Sequence, residues 1–183
     1  MKLNFFIVLA LGVSIASCSN AEKKSQIAEI ETMEKTLDSL SLMVFDTTRM
    51  ITTDIVMTVR ETIAHVKENY MPDTIDYVLA DKMNSYKEVR KVLSRNSGNI
   101  AKVKHAIPEV QEKLKDLKHD IEKGVNDRDK YQDYINYERN KVDEIKEVWS
   151  YYRETTDEYY KLFDSLHPVI KNLGDSLARS AND

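Results

Sequence analysis

The sequence is poor in the residues that bend a chain. Four glycines and three prolines serve 183 residues, and after residue 17 only Gly98, Gly124, Gly174, Pro72, Pro108 and Pro168 remain. Strands need turns every few residues, and turns draw on these types, so the scarcity excludes a strand-rich fold. Cysteine is scarcer still. Cys18 stands alone, which excludes an internal disulfide. Positive charge is not in excess either: 27 lysines and arginines face 31 acids, interspersed along the chain. Nucleic acid is therefore not an expected partner, because it would call for a net basic stripe. Long hydrophobic runs are also missing. The longest, from Phe5 to Val13, has about ten residues, whereas a helix rising ~1.5 Å per residue needs roughly 20 to cross a hydrocarbon core.

What is present begins with an address. Lys2, the apolar run, and the small residues Ser14, Ala16 and Ser17 follow one another in the order of a secretory signal peptide. The segment Ile15-Ala16-Ser17-Cys18 resembles the lipobox of bacterial lipoproteins: an aliphatic or small residue, two small ones, then cysteine. The resemblance covers only the first 18 residues. It implies that the Cys18 sulfur receives a diacylglyceryl group, that the chain is cut before Cys18, and that the new amino terminus is acylated, with palmitate among the acyl groups. Two or more chains anchor stably where one does not. Ser19 is not the aspartate that retains some lipoproteins in the inner membrane, and Ala21-Glu22-Lys23-Lys24 lacks the acidic cluster of some surface-exported ones. The implied location is the periplasmic face of the outer membrane. Cleavage takes away Lys2 and no acid, carrying the formal charge from −4 to −5.

The resulting division is a signal peptide over 1–17, a lipidated terminus and short tether over 18–25, one helical domain over 26–177 and a disordered tail over 178–183. Within the domain, Ile100, Val103, Ile107, Val110, Leu114, Leu117 and Ile121 recur at alternating spacings of three and four, the a/d seam of a heptad helix. Pro108 inside this run predicts a bend rather than an end. The register resumes at Tyr131, Ile135, Val142, Ile145, Trp149, Tyr152, Tyr159, Phe163 and Leu166, with Glu138 and Thr156 as polar interruptions. Between the runs, Lys123-Gly124-Val125-Asn126-Asp127 reads as a C-terminal glycine followed by an N-capping side chain. A hairpin is expected there; the alternative is one unbroken helix over 99–166.

Tyr70-Met71-Pro72-Asp73 marks a further break, with Asp73 or Thr74 as cap, and Asn96-Ser97-Gly98-Asn99 marks another. Ile75, Val78, Leu79, Met83, Tyr86, Val89 and Leu93 form an apolar stripe between them. The first helix carries Ile30, Met33, Leu37, Leu40 and Val44, then slips phase near Asp46-Thr47-Thr48 to Ile51, Ile55, Ile63 and Val66. The predicted helices cover 21–70, 73–95, 99–123 and 127–166, with a short tail helix after Pro168 carrying Ile170, Leu173 and Leu177. Their lengths imply an all-α, elongated antiparallel four-helix bundle. The first and last helices outlast the middle two and would pair as a two-helix coiled-coil stalk, Leu37 and Leu40 meeting Thr156 and Tyr159, and Ile30 and Met33 meeting Phe163 and Leu166.

Catalytic and metal constellations find no support in the pattern. Asp116 and His119 have the spacing of a bundle metal site, but His105 and His119 occupy the outermost heptad position, and His167 precedes Pro168 as a capping or loop residue. Glu154, Asp157 and Glu158 alternate with Arg153 and Lys161, as on a solvated face. No Gly-rich elbow, Ser-x-x-Lys or phosphate loop occurs. No cofactor and no metal are expected, and the chain is not expected to be an enzyme. Met43, Met50 and Met57 fall seven apart, which predicts core filling rather than an adaptable groove.

Tyrosine is the unusual feature. Tyr131, Tyr152 and Tyr159 sit in the seam, Tyr134 and Tyr160 flank it, and Tyr137 and Tyr151 have no place in a core. Exposed tyrosine is enriched at partner surfaces, so Tyr134, Tyr137, Tyr151 and Tyr160 are the candidate partner surface. The expected function is a non-enzymatic cell-envelope lipoprotein, held to the membrane through Cys18, that serves as helical adaptor, spacer or scaffold for another envelope protein. The alternative is a bundle that binds a small molecule or peptide between its helices. The seam is also compatible with self-association.

Overall fold

The computed structural model describes residues 3–45, 49–70 and 76–180, and the side chains of 20–45, 52–70 and 76–180. The fold is all-α. Helices α1 (Leu3–Phe45), α2 (Arg49–Asn69), α3 (Tyr77–Lys123) and α4 (Tyr131–Ser180) follow in order, with a short 3₁₀ turn at Arg128–Lys130 before α4. No strand occurs among the described residues. The expected phase slip at Asp46-Thr47-Thr48, the break at Met71-Pro72-Asp73 and its caps Asp73 and Thr74, and tail residues 181–183 lie outside the described residues. So do the side chains of Cys18, Met50 and Ile51.

The chain forms two compact units, Met1–Met43 with Lys104–Lys146 and Val44–Val103 with Glu147–Asp183. In the first, Ile30, Met33, Leu37 and Leu40 of α1 are buried together with Ile107, Val110, Leu114, Leu117 and Ile121 of α3 and Tyr131, Ile135, Val142 and Ile145 of α4. Each such side chain contributes roughly 1.5–3 kcal/mol when fully buried. Polar ties at the rim fix the direction. Gln111 donates to Asp38 at 2.7 Å and Lys118 to Glu31 at 2.9 Å, so numbers rise on α1 as they fall on α3. The two run antiparallel, and Arg139 of α4 pairs with Glu29 of α1.

In the second unit α2 packs with α3 and α4 around Val59, Ile63, Val66, Met83, Tyr86, Val89, Leu93 and Ile170. Here Thr52 meets Tyr160 at 2.6 Å and His65 meets Asp175 at 3.4 Å, so α2 and α4 run parallel. Asn96 reaches Thr155 and Tyr86 reaches His167, so α3 runs antiparallel to both. Three helical segments thus surround each core.

The Asn96-Ser97-Gly98-Asn99 break is not formed: α3 runs unbroken through it for 47 residues. Asn96 is buried in the seam that joins Val89 and Leu93 to Val103 and Ile107, and Ser97 bonds back to the Leu93 carbonyl at 3.1 Å. This has a consequence for the expected stalk. Within the first unit, residues 104–123 of α3 and 131–146 of α4 both accompany the buried stripe of α1. Leu37 is accordingly buried in the first unit, while Tyr159 packs on the Val59–Ile170 cluster of the second. Leu37 and Tyr159, expected to meet, fall in different compact units.

Other boundaries move for similar reasons. Helix α4 continues through Pro168 to Ser180 rather than ending at 166: the burial of Ile170, and the packing of Leu173 and Leu177 on the same cluster, hold the continuation in place. Residues 178–180, placed in the tail by sequence, belong to this helix. Asp76, not an earlier residue, caps α3 by accepting from the Leu79 N–H at 3.0 Å. Met43 and Met57 are about half exposed rather than core fillers, since α1 ends at Phe45 and α2 starts a fresh phase at Arg49.

The hairpin at Gly124 is formed as its sequence predicts. Gly124 adopts φ 63° and Asn126 φ 61°, and the Val125 N–H reaches the Asp120 carbonyl at 3.1 Å, the closure of a Schellman motif. Asp127 makes no side-chain capping bond; its carboxylate pairs with Lys130 at 2.8 Å instead. The two exposed-backbone glycines make opposite predictions. An added Cβ at Gly98 meets nothing within 4 Å, so Gly98→Ala should stabilise the protein by roughly 0.5–1 kcal/mol, the helix-interior difference between the two residues. At Gly124 the φ is left-handed and the Cβ would lie 2.8 Å from Arg128 Nη2, so Gly124→Ala should lower the urea midpoint. A fall for Gly98→Ala would contradict the continuous helix.

Candidate functional site

The tyrosines of α4 separate into distinct roles. Tyr131 and Tyr152 are buried and Tyr159 is half-buried, as their seam positions require. Tyr134 and Tyr137, three residues apart on one side of the helix, are 42% and 60% exposed in the first unit. The Lys141 ammonium lies 5.7 Å from the Tyr137 ring centroid, so that face carries both a flat apolar ring and a cation. Tyr151, in the second unit, is 46% exposed, and its hydroxyl accepts from Arg95 at 3.5 Å.

Tyr160 is the correction. It is half-buried, packs against the Val59–Ile170 cluster and is tied to Thr52. A position beside the seam stays open in a two-helix pair, but α2 covers it here. Tyr160 therefore packs at the edge of the core, and the exposed tyrosines of α4 are Tyr134, Tyr137 and Tyr151.

The ionisable groups show where chemistry could or could not arise. His105 and His119 are exposed, as the heptad expects; His105 lies 3.7 Å from Glu109. His167 is no loop or capping residue. It sits within α4, stacked 4.8 Å from Phe163, with Nδ1 2.6 Å from the Tyr86 hydroxyl. Burial, and then Lys171, push its pKa down, while burial raises that of Tyr86. The phenol and the imidazole share this hydrogen bond, the donor being set by the imidazole tautomer. Glu138, the charged interruption of the seam, is pushed up by burial against the opposing pull of Lys113 and Lys141. Among the described residues no group of histidines and acids is placed to hold a metal ion.

One polar cluster escaped the sequence reading. Asn96 is fully buried and donates from Nδ2 to Thr155 at 2.7 Å and Thr156 at 3.1 Å, while its Oδ1 is buried without a partner. A buried seam asparagine specifies register at a cost in stability. The signal was available: Val89, Leu93, Asn96, Ile100 and Val103 keep the spacing of four, three, four, three.

Concavities occur in both units. A polar cleft of about 610 Å³ opens at one end of the first unit, between Asn20, Lys23 and Gln26 of α1 and Gly124, Arg128 and Tyr131 at the hairpin. A small apolar cavity of about 200 Å³ in the second unit is lined by Val66, Tyr70, Leu79 and Met83. No described helix is long and apolar enough to cross a membrane. The chain matches no family model, no curated protein and no solved structure.

Proposed function

We propose that this chain is a lipid-anchored, non-enzymatic protein of the cell envelope, whose helical body serves as adaptor, spacer or scaffold for another envelope protein. The observation that carries the anchor is Ile15-Ala16-Ser17-Cys18 at the end of a short apolar run, with Cys18 the sole cysteine. The periplasmic face of the outer membrane follows from Ser19 and the absence of an acidic cluster after it. Support for a protein partner comes from Tyr134 and Tyr137, exposed side by side. Rings of this kind supply large contact area at small cost in rotamer freedom. The alternative, a ligand held between helices, has weaker support: the apolar cavity of about 200 Å³ falls below the roughly 300–1,000 Å³ of drug-sized ligand sites, and the cleft of about 610 Å³, though large enough, is polar where such sites are mostly apolar.

A photoreactive phenylalanine analogue in place of Tyr137 tests the adaptor reading in living cells. Illumination should give one discrete protein adduct, absent when the analogue replaces Lys115 on the exposed face of α3, and purified Tyr137→Ala should recover less of the same protein. Equal adducts at both positions, or none at Tyr134, Tyr137 and Tyr151, would overturn the partner surface.

A further inference from the structure

The hairpin between α3 and α4 and the acylated end of α1 occupy one end of the first unit. Helix α1 runs unbroken through Cys18 to Phe45, and Lys23 donates from its ammonium to the Glu122 carbonyl, in the last turn of α3, at 2.7 Å. Five residues separate Cys18 from Lys23, ~7.5 Å along the axis at ~1.5 Å per residue. The cleft that Asn20 and Lys23 share with Gly124 and Arg128 lies at this same end. An anchor at Cys18 therefore brings the hairpin to the bilayer.

The hairpin's own form suits that surface. Left-handed Gly124 and Asn126 flank Val125 and leave it exposed at the tip. The carbonyls behind it have donors: the single proton of the Tyr131 hydroxyl is shared between the Asp120 carbonyl, at 2.9 Å, and that of Val125, and Arg128 donates to the Gly124 carbonyl at 2.6 Å. An apolar tip with its carbonyls satisfied can enter the headgroup layer without stranding polar groups there. Lys123, Arg128 and Lys130 are matched nearby by Glu122, Asp127 and Asp129, so the tip has no excess charge to require an anionic lipid.

We propose that the 124–130 hairpin is a second membrane contact, with Val125 seated in the interface of zwitterionic phospholipid beside the acylated Cys18. This rests on the proposed acylation. The test uses the full mature protein, its acylation verified by intact mass, in phosphatidylcholine vesicles, with Val125→Cys or His105→Cys carrying an environment-sensitive fluorophore. Because the Cys18 sulfur is then a thioether, the introduced cysteine is the only free thiol. His105 is exposed on α3, 18 residues before Lys123 and so ~27 Å farther along the axis.

Lipids bearing a nitroxide at the headgroup should quench the label at 125 several-fold more than that at 105. Added phosphatidylglycerol should leave the ratio unchanged. To separate the hairpin from its label, unlabelled protein should show slower amide exchange at 124–130 in vesicles than in detergent. Equal quenching at both positions with Cys18 acylated overturns the second contact and leaves the anchor standing. A ratio that depends on anionic lipid also overturns it, and absence of acylation removes both.

Discussion

Replacing Tyr86 with alanine is expected to destabilise the second unit by about 3–5 kcal/mol, the range for truncating a fully buried aromatic ring. Tyr86 has no exposed surface. Its ring stacks on Phe163 and His167 of α4 at centroid distances of 6.2 and 6.0 Å, so truncation removes both ring contacts and leaves a cavity beside them. The hydroxyl bond to His167 is the smaller part: Tyr86→Phe removes it alone and should cost about 1 kcal/mol. A fall in urea midpoint for Tyr86→Ala no larger than that for Tyr86→Phe would contradict this packing.

His167 gives the same cluster a pH dependence of definite sign. Its folded pKa lies below the ordinary 6.5. Above that value both folded and unfolded chains carry a neutral imidazole, and the contribution is fully present. As pH falls below about 6.5 the unfolded chain takes up a proton that the folded one resists, so stability declines until the folded pKa is passed. Tyr86→Ala opens the site to water and should flatten this acid limb.

How much of this could be seen in the sequence depends on the range of the interactions involved. The Gly124 hairpin was legible because it is local: a left-handed glycine and a closing amide five residues from its acceptor decide it. The buried stripe of α1, from Ile30 to Val44, was legible from periodicity alone. Asn96-Ser97-Gly98-Asn99 misleads because its composition is that of a turn, while its outcome is set by Thr155 and Thr156 on α4, about 60 residues away. A helix interior tolerates one glycine at about 1 kcal/mol, less than the adjoining buried seam contributes. Tyr160 and His167 fail for another reason. Their depth depends on a third helix, which widens the buried stripe beyond two seam positions. Tyr137 and Tyr151 were legible because their heptad position lies off the buried stripe, and both remain exposed.

Cys18→Ala is the prediction with the largest effect on the whole protein. Without the sulfur there is no thioether, and fatty-acid labelling should fall to background while the protein moves from the membrane fraction to the soluble one. The physical ground is the size of the anchor. At ~0.8 kcal/mol per buried CH₂, two or three acyl chains hold a protein on the bilayer, whereas the body offers no described helix able to span it. Circular dichroism of the variant should remain strongly helical, because neither core includes the described part of the chain before Gln26. Undiminished labelling would show that the acyl group, if any, sits elsewhere.

The central claim is that the mature protein begins at a lipidated Cys18, and the intact mass of the native protein extracted from membranes tests it most directly. The mass expected is that of residues 18–183 plus a diacylglyceryl group and an amide-linked fatty acid, with both additions on the amino-terminal tryptic peptide. A full-length chain from Met1, or a mature chain whose Cys18 is unmodified, would contradict it.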